Sequence, residues 1–395
     1  MIEIDILYKN ITLLIVSAIE ERPVSIEIDN AEELLSLAEK HNIANIVYYG
    51  LKNSNIKLSP DLEEKFENYA YKSVFKDKRQ LYELNRIYTA FESAGIYYMP
   101  VKGAVLKYLY PKTDMRNMSD ADILIKTEQY ETIKQVMQSL GYKEKLESNH
   151  ELIWHKEKSL NLELHKMLIP SYNSDYYGYF GDGWKLARPV KEGEVRHTLS
   201  DEDHYIYVLT HFAKHYRDGG IGINHLLDIF ILNKLPLDRN YIENELKSLN
   251  LYEFYCNVQN AISVCFEDGK EDEISAQIID YVFNSGVYGT VKNHQLSRTL
   301  RKTKENSTDI KTVKSKKIIS AFFPSYEGMC IMYPSLKHCP VLLPFYWVFR
   351  IFHKFIFEKS RISAQKTRMK NITKENVREF ENSLEKVGLK FNLKE

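Results

Sequence analysis

Two aspartates separated by one residue, Asp120 and Asp122, have the spacing that points most directly to chemistry in this chain. They open the hydrophobic run DADILI, and a β-strand places residues i and i+2 on the same face. Both carboxylates would then project together from one strand end. Neighbouring carboxylates raise each other's pKa unless a cation neutralises them. The pair therefore predicts a site for a divalent metal ion, with a solvated strand start as the alternative.

A third carboxylate is expected on a neighbouring strand. In SLNLELHKML, leucines alternate with polar residues over 160–164, which is typical of a half-buried strand. Glu163 lies on the polar side of this strand, where it could join Asp120 and Asp122. Such a set can hold two metal ions that stabilise the attacking and leaving oxygens of a displacement at phosphorus. The alternative for Glu163 is an exposed strand residue.

A glycine turn and two cations precede the aspartates. Lys102 and Gly103 end an apolar run, and a short helix begins at Ala104 and stops before a proline. Gly103 would let backbone N–H groups approach a triphosphate, helped by the start of that helix. Lys102 and Arg116 can meet phosphate oxygens. A structural ion pair of Arg116 with Asp114 is the alternative.

Three histidines add candidates for the same cleft. His165 follows Glu163 by two residues, so it either contacts a phosphate or acceptor or hydrogen-bonds Glu163. His211 and His215 are four residues apart on a predicted helix, a spacing that can bind zinc. No third ligand is evident, so a metal ion is not expected there. Core or surface histidines are the alternative.

The predicted elements alternate around these residues. Strands are expected near 96–101, 121–125 and 160–164, with a helix between each pair, so the order is strand–helix–strand–helix–strand. The predicted fold class is α+β, mostly helical, with a small mixed sheet flanked by helical regions. The expected divisions are an N-terminal helical region at 1–92, an α/β core at 93–190 and a C-terminal helical domain at 191–395.

The amino-acid composition argues against several classes of function. Lys and Arg number 54 and Asp and Glu number 54, and this net charge of zero argues against a surface built for nucleic acid. The four cysteines form no CxxC pair, which favours reduced thiols over zinc. Acidic residues at 3 and 5 argue against a secretion signal, and no apolar run is long enough to span a membrane. We expect a cytoplasmic protein.

The C-terminal third is basic and aromatic. Residues 291–318 carry few apolar anchors and are predicted to be a solvated linker. The run 341–357 has the composition of a helix at a membrane surface, although packing against the helical domain is the preferred interpretation. Several cations in and after this run could contact RNA or acidic lipid: Arg350, Lys354, Lys359, Arg361, Lys366 and Arg368.

Together these motifs resemble the DNA polymerase beta-type nucleotidyltransferase superfamily, and more narrowly a bacterial family of uncharacterised nucleotidyltransferases. The resemblance rests on the Lys102-Gly103 turn, the LYP ending, Arg116, DADILI and LELH. It continues through GY at 141–142, SDEDHYIYVLTHFAKH, SGVYGT, FFPS, YPSL and LLPFYWVFR, so it spans roughly residues 30 to 360.

The resemblance implies transfer of an NMP group from an NTP such as ATP, with Mg²⁺ or Mn²⁺ as cofactor. It also implies that His211, His215 and Asp228 line the active cleft. A small molecule with a hydroxyl or phosphate is the first expected acceptor, then a protein hydroxyl, then an RNA end. The superfamily has Gly-Ser or Gly-Gly where this chain has Gly103-Ala104, and Asp where it has Glu163. A non-catalytic relative that binds a nucleotide or a partner through the same cleft is therefore the alternative.

Overall fold

The computed structural model describes residues 5–157, 159–305, 312, 315, 319–320, 322–357 and 372–390. The described chain has an α+β fold that is mostly helical, as predicted, with a five-stranded mixed sheet and a small two-stranded sheet. The N-terminal helices are α1 (Ile6–Glu20), α2 (Ala31–Lys40), α3 (Ala44–Asn53) and α4 (Pro60–Ser93). The strands are β1 (Tyr98–Val101), β2 (Asp120–Ile125), β3 (Lys143–Glu147), β4 (Glu151–His155), β5 (Asn161–His165), β6 (Arg188–Pro189) and β7 (His197–Thr198).

Three helices lie between the strands, and the remaining nine described here follow the last strand. The former are α5 (Gly103–Leu106), α6 (Tyr130–Ser139) and α7 (Ser174–Phe180). The latter are α8 (Asp201–Asp218), α9 (Asn224–Leu232), α10 (Arg239–Ser248), α11 (Tyr252–Phe266), α12 (Glu273–Ser285), α13 (Val291–Glu305), α14 (Tyr326–Met332), α15 (Leu343–Phe357) and α16 (Lys374–Lys386). None of the helices in this described part of the chain is long and apolar enough to cross a lipid bilayer.

The main sheet has the strand order β1-β2-β5-β4-β3. Strands β2 and β5 run parallel, and the other pairs are antiparallel. The predicted order of three strands was incomplete because a hairpin of β3 and β4 lies between α6 and β5. Strand β3, with the sequence KEKLE, is mostly exposed, so it lacks the apolar alternation from which a strand is predicted.

The two faces of β2 have different environments because successive side chains alternate. Ala121, Ile123 and Ile125 pack in a buried cluster with apolar residues of α4 and α6. The opposite face carries Asp120 and Asp122 and then Leu124, which belongs to the larger cluster formed by the N-terminal and C-terminal helices. The aspartates therefore lie between the sheet and the helical layer.

Local signals explain the ends of helices α4 and α8. Helix α4 begins at Pro60, and the chain leaves it through Gly95 at a φ of +65°. Helix α8 begins after Ser200, whose hydroxyl accepts a hydrogen bond from the Asp203 N–H at 3.0 Å. It ends at Gly219, where φ is +149°. Both helices therefore begin and end at local sequence signals.

The prediction of a solvated linker at 291–318 was wrong for its first half. Residues Val291–Glu305 form α13, which packs against α8 and α16 and buries Leu296 and Leu300. These two apolar residues are four apart and suffice to anchor one helical face, although the segment is otherwise polar. Most of 306–318 lies outside the described residues, as do Lys359, Arg361, Lys366 and Arg368.

Candidate active site

Three carboxylates converge where β2 and β5 lie side by side. Asp122 is directly opposite Glu163 in the parallel register, and Asp120, two residues earlier on β2, is opposite Asn161. Asp120 and Asp122 share a strand face, as their spacing predicted. All three carboxylates line one cavity between the sheet and the helical layer. The structure thus brings the predicted acidic residues together.

The three carboxylates are ionised to different extents. Burial, followed by the charge of Asp122, raises the pKa of Asp120. Burial, followed by repulsion from Asp120 and Asp122, raises the pKa of Glu163 to about 8. Burial also opposes ionisation of Asp122, but Lys102 and His165 outweigh it and hold the pKa of Asp122 well below its usual range. Lys102 and His165 therefore stabilise the negative charge of Asp122, whereas Asp120 and Glu163 lack comparable stabilisation.

Two side chains supply that stabilisation through one oxygen atom. Lys102 Nζ donates to Asp122 Oδ1 at 2.7 Å, and His165 Nε2 lies 2.7 Å from the same atom. His165 Nε2 is 3.7 Å from Glu163 Oε2, so His165 bonds Asp122 rather than Glu163, its predicted partner. The other ring nitrogen of His165 is 4.0 Å from a carboxylate oxygen of Glu151 on β4.

Some of these atoms are close enough to share an ion. Among the described residues, Asp122, Glu163 and His165 form a group whose ligand atoms all lie within 4.8 Å of one another. The 2.7 Å contact between His165 and Asp122 is a hydrogen bond, so His165 orients that carboxylate. Carboxylate oxygens remain as donors, and they are the ligands that Mg²⁺ and Mn²⁺ prefer. The residues present therefore fit a hard divalent cation.

The glycine turn has a packing reason as well as its predicted role. A Cβ atom on Gly103 would lie 2.8 Å from Met118 Cγ, so a side chain at this position would displace Met118. Gly103 lines the cavity, whereas Ala104 is buried in the core beneath the sheet and is absent from the cavity wall. The strained backbone falls on Lys102, with φ of +51° and ψ of −128°.

Arg116 has a structural partner that the sequence did not indicate. Its Nε and Nη2 atoms donate to the two oxygens of Asp228 on α9 at 2.7 and 2.8 Å. Tyr110 donates a further hydrogen bond to Asp228 at 2.7 Å. The proposed ion pair with Asp114 was wrong, because Asp114 accepts a hydrogen bond from Tyr49. Arg116 and Asp228 line the cavity, but each side chain neutralises the charge of the other.

A cluster of neutral histidines forms the helical wall of the cavity. His211 Nε2 and His215 Nε2 on α8 lie 3.0 Å apart, and the ring of His225 on α9 stacks near His211. Burial lowers the pKa of His225 to about 4, and it lowers the pKa values of His211 and His215 well below the usual value. The described residues place no third metal ligand beside the α8 pair.

The cavity has a volume of about 470 Å³ and includes residues that the sequence reasoning missed. These are Asn42, Ser119, Asn224, His225, Tyr288 and His294. His225 precedes Asp228 by three residues, so helical periodicity could have placed it on the same wall. Asn42 could not have been found this way, because it reaches the cavity from the distant connection between α2 and α3.

Paired strand carboxylates in a small mixed sheet face a helical wall across a cavity, which is the arrangement expected from the resemblance to nucleotidyltransferases. The chain belongs to the family described as uncharacterised nucleotidyltransferase, whose family model matches residues 28–266. It is accordingly a nucleotidyltransferase enzyme by family. The match contains every predicted site residue from Lys102 to Asp228, and it ends before α12. No curated protein and no solved structure matches the chain.

Proposed function

We propose that this protein transfers an NMP group from an NTP to a hydroxyl or phosphate of a small-molecule acceptor, with Mg²⁺ or Mn²⁺ as cofactor. The observation that carries the proposal is the register of β2 and β5, which sets Asp122 beside Glu163 with Asp120 on the same face. Nucleotidyl transfer needs convergent carboxylates of this kind, because the reacting phosphorus is surrounded by anionic oxygens.

The donor set supports a divalent cation. Asp120, Asp122 and Glu163 would hold it, and the raised pKa values of Asp120 and Glu163 indicate negative charge that protein cations leave uncompensated. A bound metal ion would neutralise phosphate charge and favour ionisation of the acceptor. His165 keeps Asp122 in a fixed orientation through its 2.7 Å hydrogen bond.

Lys102 and Glu163 have separate roles in the proposed reaction. The Lys102 ammonium group carries three N–H donors and uses one on Asp122 Oδ1, so it can also donate to phosphate oxygens beside that carboxylate. The pKa of Glu163, at about 8, lies close to the pH at which a general base works best. Glu163 can thus accept the proton of an acceptor hydroxyl or serve as a ligand.

The cavity has the size of a small-molecule site. A volume of about 470 Å³ lies within the range of small-molecule sites. Helices α8 and α9 form the wall opposite the carboxylates, through His211, His215 and Asp228. A protein hydroxyl is the second choice of acceptor and an RNA end the third, since the formal net charge of the chain is zero.

The proposal is tested by following label from each of the four α-³²P-labelled NTPs with Mg²⁺, Mn²⁺ or excess chelator in the presence of cell extract. We expect metal-dependent labelling of a small molecule. Asp120→Asn combined with Asp122→Asn should abolish it, whereas Glu131→Gln, an exposed carboxylate on α6, should not change it. Labelling by the double aspartate variant at the wild-type rate would refute the proposal.

Calorimetry with each NTP separates catalysis from simple binding. Metal-dependent binding that the double variant loses is expected for the transferase. Binding of an NTP that needs no metal and leads to no labelled product would favour a non-catalytic nucleotide-binding relative instead.

A further inference from the structure

Helix α15 presents an apolar face that no described part of the chain covers. Six residues on this face and in the turn before it are exposed, by fractions between 39% and 80% of their full surface. They are Val341, Leu342, Phe345, Val348, Phe349 and Phe352. Their spacing of three and four residues puts them on one side of a helix. Contiguous exposed apolar surface of this kind marks an interaction site.

The opposite side of α15 already has its packing partners. Tyr346 and Trp347 pack with Met329, Cys330 and Leu336 in a small cluster separate from the two main cores. The Trp347 indole N–H donates to the Pro324 carbonyl oxygen at 3.1 Å, which fixes the helix orientation. Within the described residues this side of α15 stays exposed, and it lies outside the residues that match the family.

The net charge of the sequence around α15 indicates what kind of partner binds this surface. Residues 311–370, which contain α15 and its flanks, carry 12 Lys and Arg against two Asp and Glu, whereas the whole chain has 54 of each. This segment therefore has a net charge of +10, and the rest of the chain has −10. A cationic segment around an aromatic helix matches the interface of an anionic bilayer. Two copies of this surface would repel each other.

The helix can lie in the membrane surface but not span it. Its 15 residues give a length of roughly 22 Å, which is shorter than the ~30 Å hydrocarbon core. The helix sequence also carries Arg350, His353 and Lys354, which favour the headgroup region. We propose that α15 docks this protein on anionic lipid, with the phenylalanine face in the acyl boundary and the flanking cations at the headgroups. This proposal is independent of the transfer reaction.

Vesicle flotation of the full chain tests the proposal. We expect flotation with vesicles of three parts phosphatidylcholine to one part phosphatidylglycerol, and much less with phosphatidylcholine alone. Phe345→Glu combined with Phe349→Glu should weaken binding by at least about tenfold, because two aromatic side chains leave the bilayer. Phe75→Glu, at an equally exposed position on α4, is the matched control and should float like wild type.

A second measurement reports insertion directly. The Phe349→Trp variant should show tryptophan emission that shifts to shorter wavelength with anionic vesicles and is quenched by brominated acyl chains, each by more than in the wild-type chain with its three native tryptophans. Four results would overturn the proposal: no flotation of the wild-type chain, equal flotation of the double variant, equal flotation on neutral vesicles, or an unshifted emission. Binding of single-stranded RNA without flotation would assign the surface to nucleic acid. Loss of self-association in the double variant, without flotation of wild type, would assign it to a second copy.

Discussion

The ion pair of Arg116 with Asp228 allows a sharp test of whether Arg116 supports the site or binds phosphate. The side chain of Asp228 is 1% exposed and that of Arg116 is 13% exposed, and two charge-assisted hydrogen bonds join them. Asp228→Asn keeps the shape of the side chain but removes its charge, which leaves the guanidinium buried without a counter-ion. Breaking a buried pair in this way costs about 3–5 kcal/mol of unfolding free energy.

Two further variants make the magnitude interpretable. Tyr110→Phe removes one hydrogen bond to the same carboxylate and should cost about 1.5–3 kcal/mol, since its partner is charged. Glu20→Gln disrupts two ion pairs at the surface, one with Arg22 and one with Lys234. A surface ion pair contributes about 0–1 kcal/mol. Urea unfolding monitored by circular dichroism, with the slopes compared, measures all three.

The single variant Arg116→Met and the double variant Arg116→Met with Asp228→Asn complete the cycle. The double variant removes both charges, so it should be less destabilised than either single variant, because no uncompensated charge stays buried. If Asp228→Asn costs no more than Glu20→Gln, the pair is not a structural anchor and Arg116 is available to substrate. The reasoning from burial and geometry would then be refuted.

Three other predictions concern the packing of a glycine, the pH dependence of stability and the binding of a metal ion. Gly50→Ala should destabilise by at least about 1–3 kcal/mol, because its Cβ would lie 2.1 Å from the Leu14 carbonyl oxygen in α1, whereas Gly178→Ala, with nothing within 4 Å, should be neutral or stabilising in urea unfolding. Burial lowers the pKa of His204 to about 4, so the unfolded chain binds more protons between pH 4 and 6.5. The contribution of His204 to the unfolding free energy should fall as pH drops through that window and be constant above it, so His204→Leu should change the pH slope of the whole chain within the window by up to about 1.4 kcal/mol per pH unit. Added Mg²⁺ should raise the melting temperature of the wild-type chain, and Asp122→Asn should abolish this shift.

The carboxylate set could be predicted from sequence because its determinants are local. Alternation along a strand puts Asp120 and Asp122 on one face, and the leucine pattern around Glu163 identifies the neighbouring strand. The side-by-side placement of these strands did not follow from the predicted strand–helix–strand order, because β3 and β4 lie between α6 and β5 in the chain. Their observed register then brings Asp122 opposite Glu163. The predicted divisions of the chain near residues 92 and 190 stay a prediction.

The partners of the cations could not be predicted in the same way. Arg116 meets Asp228 across 112 positions of sequence, and only the packing of α9 against the sheet layer brings them together. Lys102 meets Asp122 through a strained turn that no residue preference indicates. Long-range ion pairs depend on tertiary placement, so a list of charged residues does not determine them. Phosphate contacts assigned from residue type alone are therefore the least secure part of such a prediction.

Lys102 and His165 stabilise the negative charge of Asp122 more than that of Asp120 or Glu163, so the three carboxylates differ in pKa. Lys102 and His165 both bond Oδ1 of Asp122, which leaves Oδ2 of an ionised, immobilised carboxylate for a further contact. Asp120 and Glu163 have no such support, and burial and mutual repulsion raise their pKa values. In the proposed reaction Asp122 can therefore position a cation at any physiological pH, while full engagement of Glu163 requires loss of a proton. For this reason, removal of Asp122 should abolish metal binding, whereas Glu163→Gln should chiefly alter the pH dependence of turnover.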